Sequence, residues 1–199
     1  MAIVTNSDVF EFCGTPSDVQ TTQGTAVTNL IARVTEEVES MLGRKVENTT
    51  YTDLVFGHGK GAVVCGDSLW LKGTLRDLHT ITSITETGTS LTEATDYDDG
   101  GDFYLDTQKG RLVKINDVWS KEPMAFKLTG DACIGVGSGL MYGSTARGDI
   151  KQAIIEMVAA KSGLWKNNVM TEGGRIETIR TTPRKETMKS LEKYRLRDF

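Results

Sequence analysis

Two stretches of helical periodicity bracket a long run of short, turn-punctuated segments, and this arrangement limits the possible folds more than any other feature of the chain. Val27, Leu30, Ile31, Val34, Val38, Met41 and Leu42 recur at i, i+3, i+4 and i+7, the spacing that lines one face of an α-helix. Gly43 followed by Arg44 and Lys45 supplies a stop, so the pattern predicts a helix over 25–42. Ile150, Ala153, Ile154, Met157, Val158, Leu164 and Trp165 form a second stripe. Asp149, with Gln152 three residues on, offers a capping box for a helix over 150–165.

Between these helices the texture changes to short runs rich in Thr, Val, Ile, Tyr and Phe, separated by Gly, Asp and Asn, as expected of β-hairpins. Strands are expected at 49–56, 62–65, 69–71, 81–86, 103–106, 111–115 and 124–128, within a β-rich region over 46–129. Ser7 offers a cap for a short helix over 8–13 that Gly14 would end, and the polar stretch 15–23 reads as a loop. Gly130, Gly135, Gly137, Gly139, Gly143 and Gly148 mark a long mobile loop over 130–148.

The end of the chain reads differently. Residues 167–182 are polar and contain Gly173-Gly174, which suggests a linker. Thr182-Pro183 offers a start for a last helix, but its apolar face has only Met188, Leu191 and Tyr194. A helix burying so little in its own domain is expected to order on a partner. From Arg175 to Phe199 eight basic residues stand against four acidic ones. This segment is therefore about +4 in a chain whose net charge is -4. The expected organisation is a core over 1–166 and a linker and arm over 167–199. The expected partner-binding residues are Arg175, Arg180, Arg184, Lys185, Met188, Lys189, Leu191 and Tyr194.

Several kinds of chemistry lack their residues. The only histidines, His58 and His79, lie in or beside the hairpin region, near no Ser or Cys elbow. No catalytic residue is expected, and the acid–base pair a hydrolase requires is missing. The glycine clusters at 57–61 and 135–139 lack the Gly-Lys-Ser/Thr ending and the G-x-G-x-x-G spacing of phosphate loops. Asp96, Asp98, Asp99 and Asp102 resemble a calcium loop, but Thr107 stands where its twelfth-position carboxylate would be. Cys13, Cys65 and Cys133 are odd in number and never paired as C-x-x-C, so neither a disulfide framework nor a zinc site is expected. No cofactor or metal is expected. No apolar run approaches the roughly 20 residues that span a bilayer, and the start of the chain lacks a basic region followed by an apolar one. No membrane partner is expected, and the protein should stay in the cytosol where it is made.

The order of these elements, and the residues Leu30 to Arg44, Leu69-Trp70-Leu71, Ile81-Thr82-Ser83-Ile84 leading to Gly88-Thr89, Asp96-Tyr97, and Asp149 to Ala160, resemble the head-tail connector (adaptor) proteins of tailed bacteriophages. The resemblance covers about residues 7–166 and rests on core and turn positions, with no catalytic signature. Leu78-His79 and Arg147-Gly148 stand where members often carry Pro. The resemblance implies an α+β fold, mainly a helical bundle packed beside a β-hairpin-rich region, with an extended C-terminal arm. It also implies a non-enzymatic virion protein of the neck, found in host cytoplasm before assembly. About twelve copies would form a ring, joined head to tail, under the portal protein. A stopper or tail-completion protein would be the other partner. DNA would pass through the channel without specific binding, which suits a negative body that repels phosphates. The alternatives are another neck or tail-end ring, such as a stopper or tail terminator, and a nucleic-acid-binding factor using the basic tail.

Overall fold

A computed structural model describes residues 3–95, 100–135, 143–171 and 174–195. The chain divides into two compact units, Met1–Leu42 with Ala146–Phe199, and Gly43–Thr145.

The first unit begins with α1, Asn6–Cys13, capped by Thr5 and Asp8 in a reciprocal capping box and closed by Gly14 at φ 62°. Next comes α2, Ser17–Leu42, which starts eight residues before the sequence expectation. The stretch read as a loop is helical. Thr21 and Thr22 hydroxyls donate to carbonyls of the preceding turn, and Asn6 Nδ2 in α1 donates to Gly24 O at 2.9 Å and Thr28 Oγ1 at 2.8 Å. Local side-chain bonds to the backbone accompany the helix where the sequence lacks an apolar stripe, and the tie to α1 comes just beyond it.

The next helix, α3, spans Gly143–Ser162. Ala153 to Ala160 are buried without a break, including Glu156 at 1% exposure. Seven residues read as glycine-rich loop or cap belong to this helix, so Asp149 lies inside it and is not its N-cap. Its stripe begins only at Ile150, which is why the sequence pattern starts late. After α3 come a two-stranded hairpin, β9 (Lys166–Thr171) and β10 (Gly174–Ile179), and then α4, Lys185–Glu192.

The second unit contains β1 (Thr49–His58), β2 (Gly61–Cys65), β3 (Ser68–Leu71), a 3-10 turn (Gly73–Asp77), β4 (Leu78–Glu86), β5 (Thr89–Leu91), β6 (Phe103–Asp106), β7 (Arg111–Lys114) and β8 (Phe126–Ala132). These form one eight-stranded sheet in the order β5-β4-β8-β1-β2-β3-β7-β6. Among the described strands β1 and β2 pair in parallel and the other ladders are antiparallel. A bridge from Glu93 to Phe103 draws the two outer strands together, so the sheet is a nearly closed barrel. The expected fold class is therefore corrected. The protein is not mainly a helical bundle beside hairpins, and its C-terminal segment is a hairpin and a helix in place of an extended arm. Local patterns find single strands, whereas pairing of β8 with both β4 and β1 joins segments far apart in sequence.

The barrel interior is filled by Phe56, Leu69, Leu78, Ile84, Phe103, Leu112, Phe126 and Leu128, among others, each worth about 1.5–3 kcal/mol when fully buried. Trp119 meets Phe126 edge-on at 5.5 Å and lies 6.1 Å from Phe103. Gly130, read as the start of a loop, sits within β8, and the strand needs glycine there because a Cβ would stand 2.3 Å from Thr80 O.

Two buried ion pairs brace this unit. Lys114 Nζ lies 2.5 Å from Glu86 Oε2 and 5.3 Å from the Trp119 ring centroid. Burial pulls the Lys114 pKa down, but hydrogen bonds to Glu86 and Asp117 outweigh it and hold the amine above its ordinary value. Arg44 Nε donates to Asp77 Oδ2 at 2.7 Å, and a second guanidinium nitrogen donates to Oδ1. Both side chains are about 95% buried, which makes this two-pronged contact the anchor of the 3-10 turn. Arg44→Ala would strand the Asp77 carboxylate and should cost about 3–5 kcal/mol in urea unfolding. A loss below about 1 kcal/mol would contradict this account of the turn.

Candidate partner-binding surface

The residues expected to bind a partner all fall in the first unit, and the fold treats them unequally. The starting point is Glu156. A carboxylate on a helix face with 1% exposure needs donors. It receives Gln152 Nε2 at 3.0 Å and the backbone N–H of Arg184 at 3.0 Å, with Arg184 Nε at 3.8 Å. Arg184 is the N-cap residue of α4 and has no side-chain cap bond. The helix therefore starts at Lys185 and not at the Thr182-Pro183 signal, with Glu156 of α3 holding the amide at its start.

Trp165 forms the second holding point. Its ring lies edge-on to Phe12 at 5.1 Å, while the guanidinium carbons of Arg180 and Arg184 lie 4.7 and 5.6 Å from its centroid. Arg180 N also donates to Trp165 O at 2.7 Å. These stacked cations are favourable by about 0.5–2 kcal/mol each. Trp165 was legible only as part of an apolar stripe.

At the far end of α4, Leu191 and Tyr194 are 4% and 2% exposed. Tyr194 donates its hydroxyl to Asp149 Oδ2 at 2.7 Å, and Lys193 Nζ lies 2.6 Å from the same oxygen. The thin apolar face of α4 is thus largely used within the chain. Lys185 and Lys189 remain exposed. Half-buried Met188 lines a groove of about 280 Å³ with Met41, Leu42, Leu191, Glu192 and Arg195. Arg175 lies in β10 by its backbone. Gly173 and the residues after Arg195, with Arg197 and Phe199 among them, lie outside the described residues, as do Asp96-Tyr97, Asp98, Asp99, Gly137 and Gly139.

The histidines occupy hydrogen-bonded positions. His58 Nδ1 accepts from Val64 N at 3.1 Å. His79 bridges Asn48 Oδ1 at 2.9 Å and Thr80 Oγ1 at 3.0 Å, and burial lowers its pKa against a smaller opposing effect of Asp131. Among the described residues no three His, Cys, Asp or Glu side chains gather as a metal site, and no helix is long and apolar enough to cross a membrane.

The Asp149 cluster gives a pH dependence. Hydrogen bonds from Lys193 and then Tyr194 hold the Asp149 pKa below its ordinary 3.8. A depressed carboxylate pKa stabilises fully at pH values above the unfolded value and is lost as pH falls through the folded one. The contribution should therefore be complete above about pH 5 and fade below pH 3.8. Asp149 is partly exposed and its Lys193 partner is exposed, so screening holds the contribution to about 1 kcal/mol or less. Asp149→Asn should lower stability at pH 7 by that amount, and the variant and parent should converge as the pH falls below 3.8 and through the folded value. A difference between the two proteins that stays constant from pH 7 to pH 2, in calorimetry, would contradict the tie.

No protein-family profile matches the sequence, and no curated protein does. Among solved structures, the chain superposes on one from the neck of an empty GTA particle computed with C6 symmetry, with a TM-score of 0.54 and 13% identity over 99% of this chain and 92% of that one. A chain from the neck of a native GTA particle computed with C12 symmetry gives a TM-score of 0.49 at 14% identity, over 92% of this chain and 89% of that one, which is too distant to carry weight. The likeness to neck proteins read in the sequence is thus borne out at the level of the fold: almost the whole of this chain is built like a protein of a particle neck.

Proposed function

We propose that this chain is a non-enzymatic structural subunit of a tailed-phage virion, an adaptor that forms a ring under the portal and links the DNA-filled head to the next protein of the neck. The observation that carries this reading is the match in fold, across 99% of the chain, to a protein from the neck of a GTA particle. The order of elements and core residues that resembles phage connectors supports it independently. The partners are further copies of the chain, the portal protein, and a stopper or tail-completion protein.

The basic tail fits protein docking better than nucleic-acid binding. Lys193 is paired with Asp149, and Arg184 faces Glu156, so part of its charge is already neutralised within the chain. Phosphate binding draws on clustered free cations. Lys185 and Lys189 are exposed on α4 and suit an acidic surface on the portal, where charge supplies register and steering more than affinity. A net charge of -4 is consistent with DNA passing the ring without being held.

Native mass measurement of the protein with and without portal is the direct test. Rings, or stoichiometric addition to the portal ring, are expected, and a strict monomer that ignores the portal would overturn the reading. Lys185→Glu with Lys189→Glu should weaken portal attachment by about tenfold or more while stability changes by less than about 0.5 kcal/mol. Unchanged attachment would exclude α4 from the contact.

A further inference from the structure

The hairpin between α3 and α4 has an unusual property. Strands β9 and β10 make a sheet of two, and among the described residues no third strand joins either edge. A two-stranded ribbon is marginal in water, and an open edge is a template for pairing.

Which backbone groups face outward follows from the register. Arg180 N donates to Trp165 O at 2.7 Å, so Trp165 and Arg180 are a hydrogen-bonded pair just before the ladder that runs from Lys166↔Ile179 to Thr171↔Gly174. Hydrogen-bonded and non-hydrogen-bonded pairs alternate in an antiparallel ladder. Asn167↔Thr178, Val169↔Ile176 and Thr171↔Gly174 therefore spend their N–H and C=O groups within the hairpin. Asn168 and Met170 turn theirs outward along one edge, and Arg175, Glu177 and Ile179 do so along the other. Ile179 is 58% exposed at the β10 edge, and neither strand contains a proline to blunt it.

We infer that the hairpin joins neighbouring copies of this chain by strand addition, the β10 edge of one copy pairing with the β9 edge of the next. The inference rests on the ring reading above and names the contact that would close the ring. An edge strand requires a partner edge of similar length with unspent backbone groups, and the opposite side of the same hairpin provides one of six residues. Because β9 and β10 run antiparallel, copies related by rotation present β10 to the next β9 in antiparallel sense, without inversion of any subunit. Such a contact is heterologous, propagates head to tail, and on closure leaves no free edge. A twofold pairing of β9 with β9 would instead stop at a dimer.

The test uses proline at outward-facing positions. Asn168→Pro and Glu177→Pro each remove an N–H that makes no bond inside the hairpin, so the subunit should fold normally while its edge is blocked. Both variants should keep the parent's circular dichroism, and the ring fraction in native mass spectrometry should fall by about tenfold or more. Mixing Asn168→Cys protein with Glu177→Cys protein should give a disulfide between copies, above the background from exposed Cys65, that neither variant gives alone. If the parent forms rings and both proline variants form them equally, the strand contact is wrong while the ring reading stands. If the parent forms no ring, with or without portal, both fall. Cross-linking of Asn168→Cys protein alone would overturn the inference in favour of a twofold dimer. Should either proline variant unfold, residue-resolved hydrogen exchange on the parent decides. The amides of Asn168, Met170, Arg175 and Glu177 should slow by about tenfold or more on ring formation, and unchanged exchange would overturn the inference.

Discussion

The buried carboxylate of Glu156 organises the first unit. It sits in a helix segment of eight consecutive buried residues and must take hydrogen bonds from somewhere. One comes from Gln152 a turn away, and the other from the backbone of Arg184, 28 residues further along the chain. That second bond obliges the chain to return across α3 after leaving it at Ser162. The returning segment stacks Arg180 and Arg184 on Trp165 and ends with Tyr194 and Lys193 on Asp149. What composition alone suggests is a loose arm is tied to the body at three places, by a carboxylate, a ring and a second carboxylate.

The two units treat β-strand edges in opposite ways. The eight-stranded sheet draws its outer strands together through Glu93 and Phe103, with Asp102 N donating to Thr92 O at 2.9 Å and Ala94 N to Phe103 O at 2.7 Å. Closure of this kind removes most of the edge that would otherwise pair with another chain, and the aromatic core and buried ion pairs hold it from within. Among the described residues the hairpin of the first unit has no such closure.

Legibility in the sequence tracked how local the cause was. The stripe ending at Leu42 and the strands around Phe103 and Leu112 are local patterns, and they appear where the residues point. The first turns of α2 and α3 do not, because the former has polar residues whose side chains bond the local backbone, as Gln20, Thr21 and Thr22 do, and the latter precedes its apolar stripe. Barrel closure depends on the pairing of β8 with β4 and β1, which no local window contains. The β9–β10 hairpin read as linker because Asn167 and Asn168 are poor strand formers. At the candidate surface the basic residues were visible as a charge bias. Their sorting into tied ones (Arg180, Arg184, Lys193) and exposed ones (Lys185, Lys189) was not, since it depends on Trp165, Glu156 and Asp149 elsewhere in the chain.

The central claim is that this fold serves as a ring subunit in a virion neck. Electron cryomicroscopy of purified particles, reconstructed around the portal vertex, tests it most directly. The account predicts that copies of this chain, barrel and helical unit both recognisable, surround the particle axis directly beneath the portal. Particles that are complete and infectious with no density for this chain on that axis would contradict it.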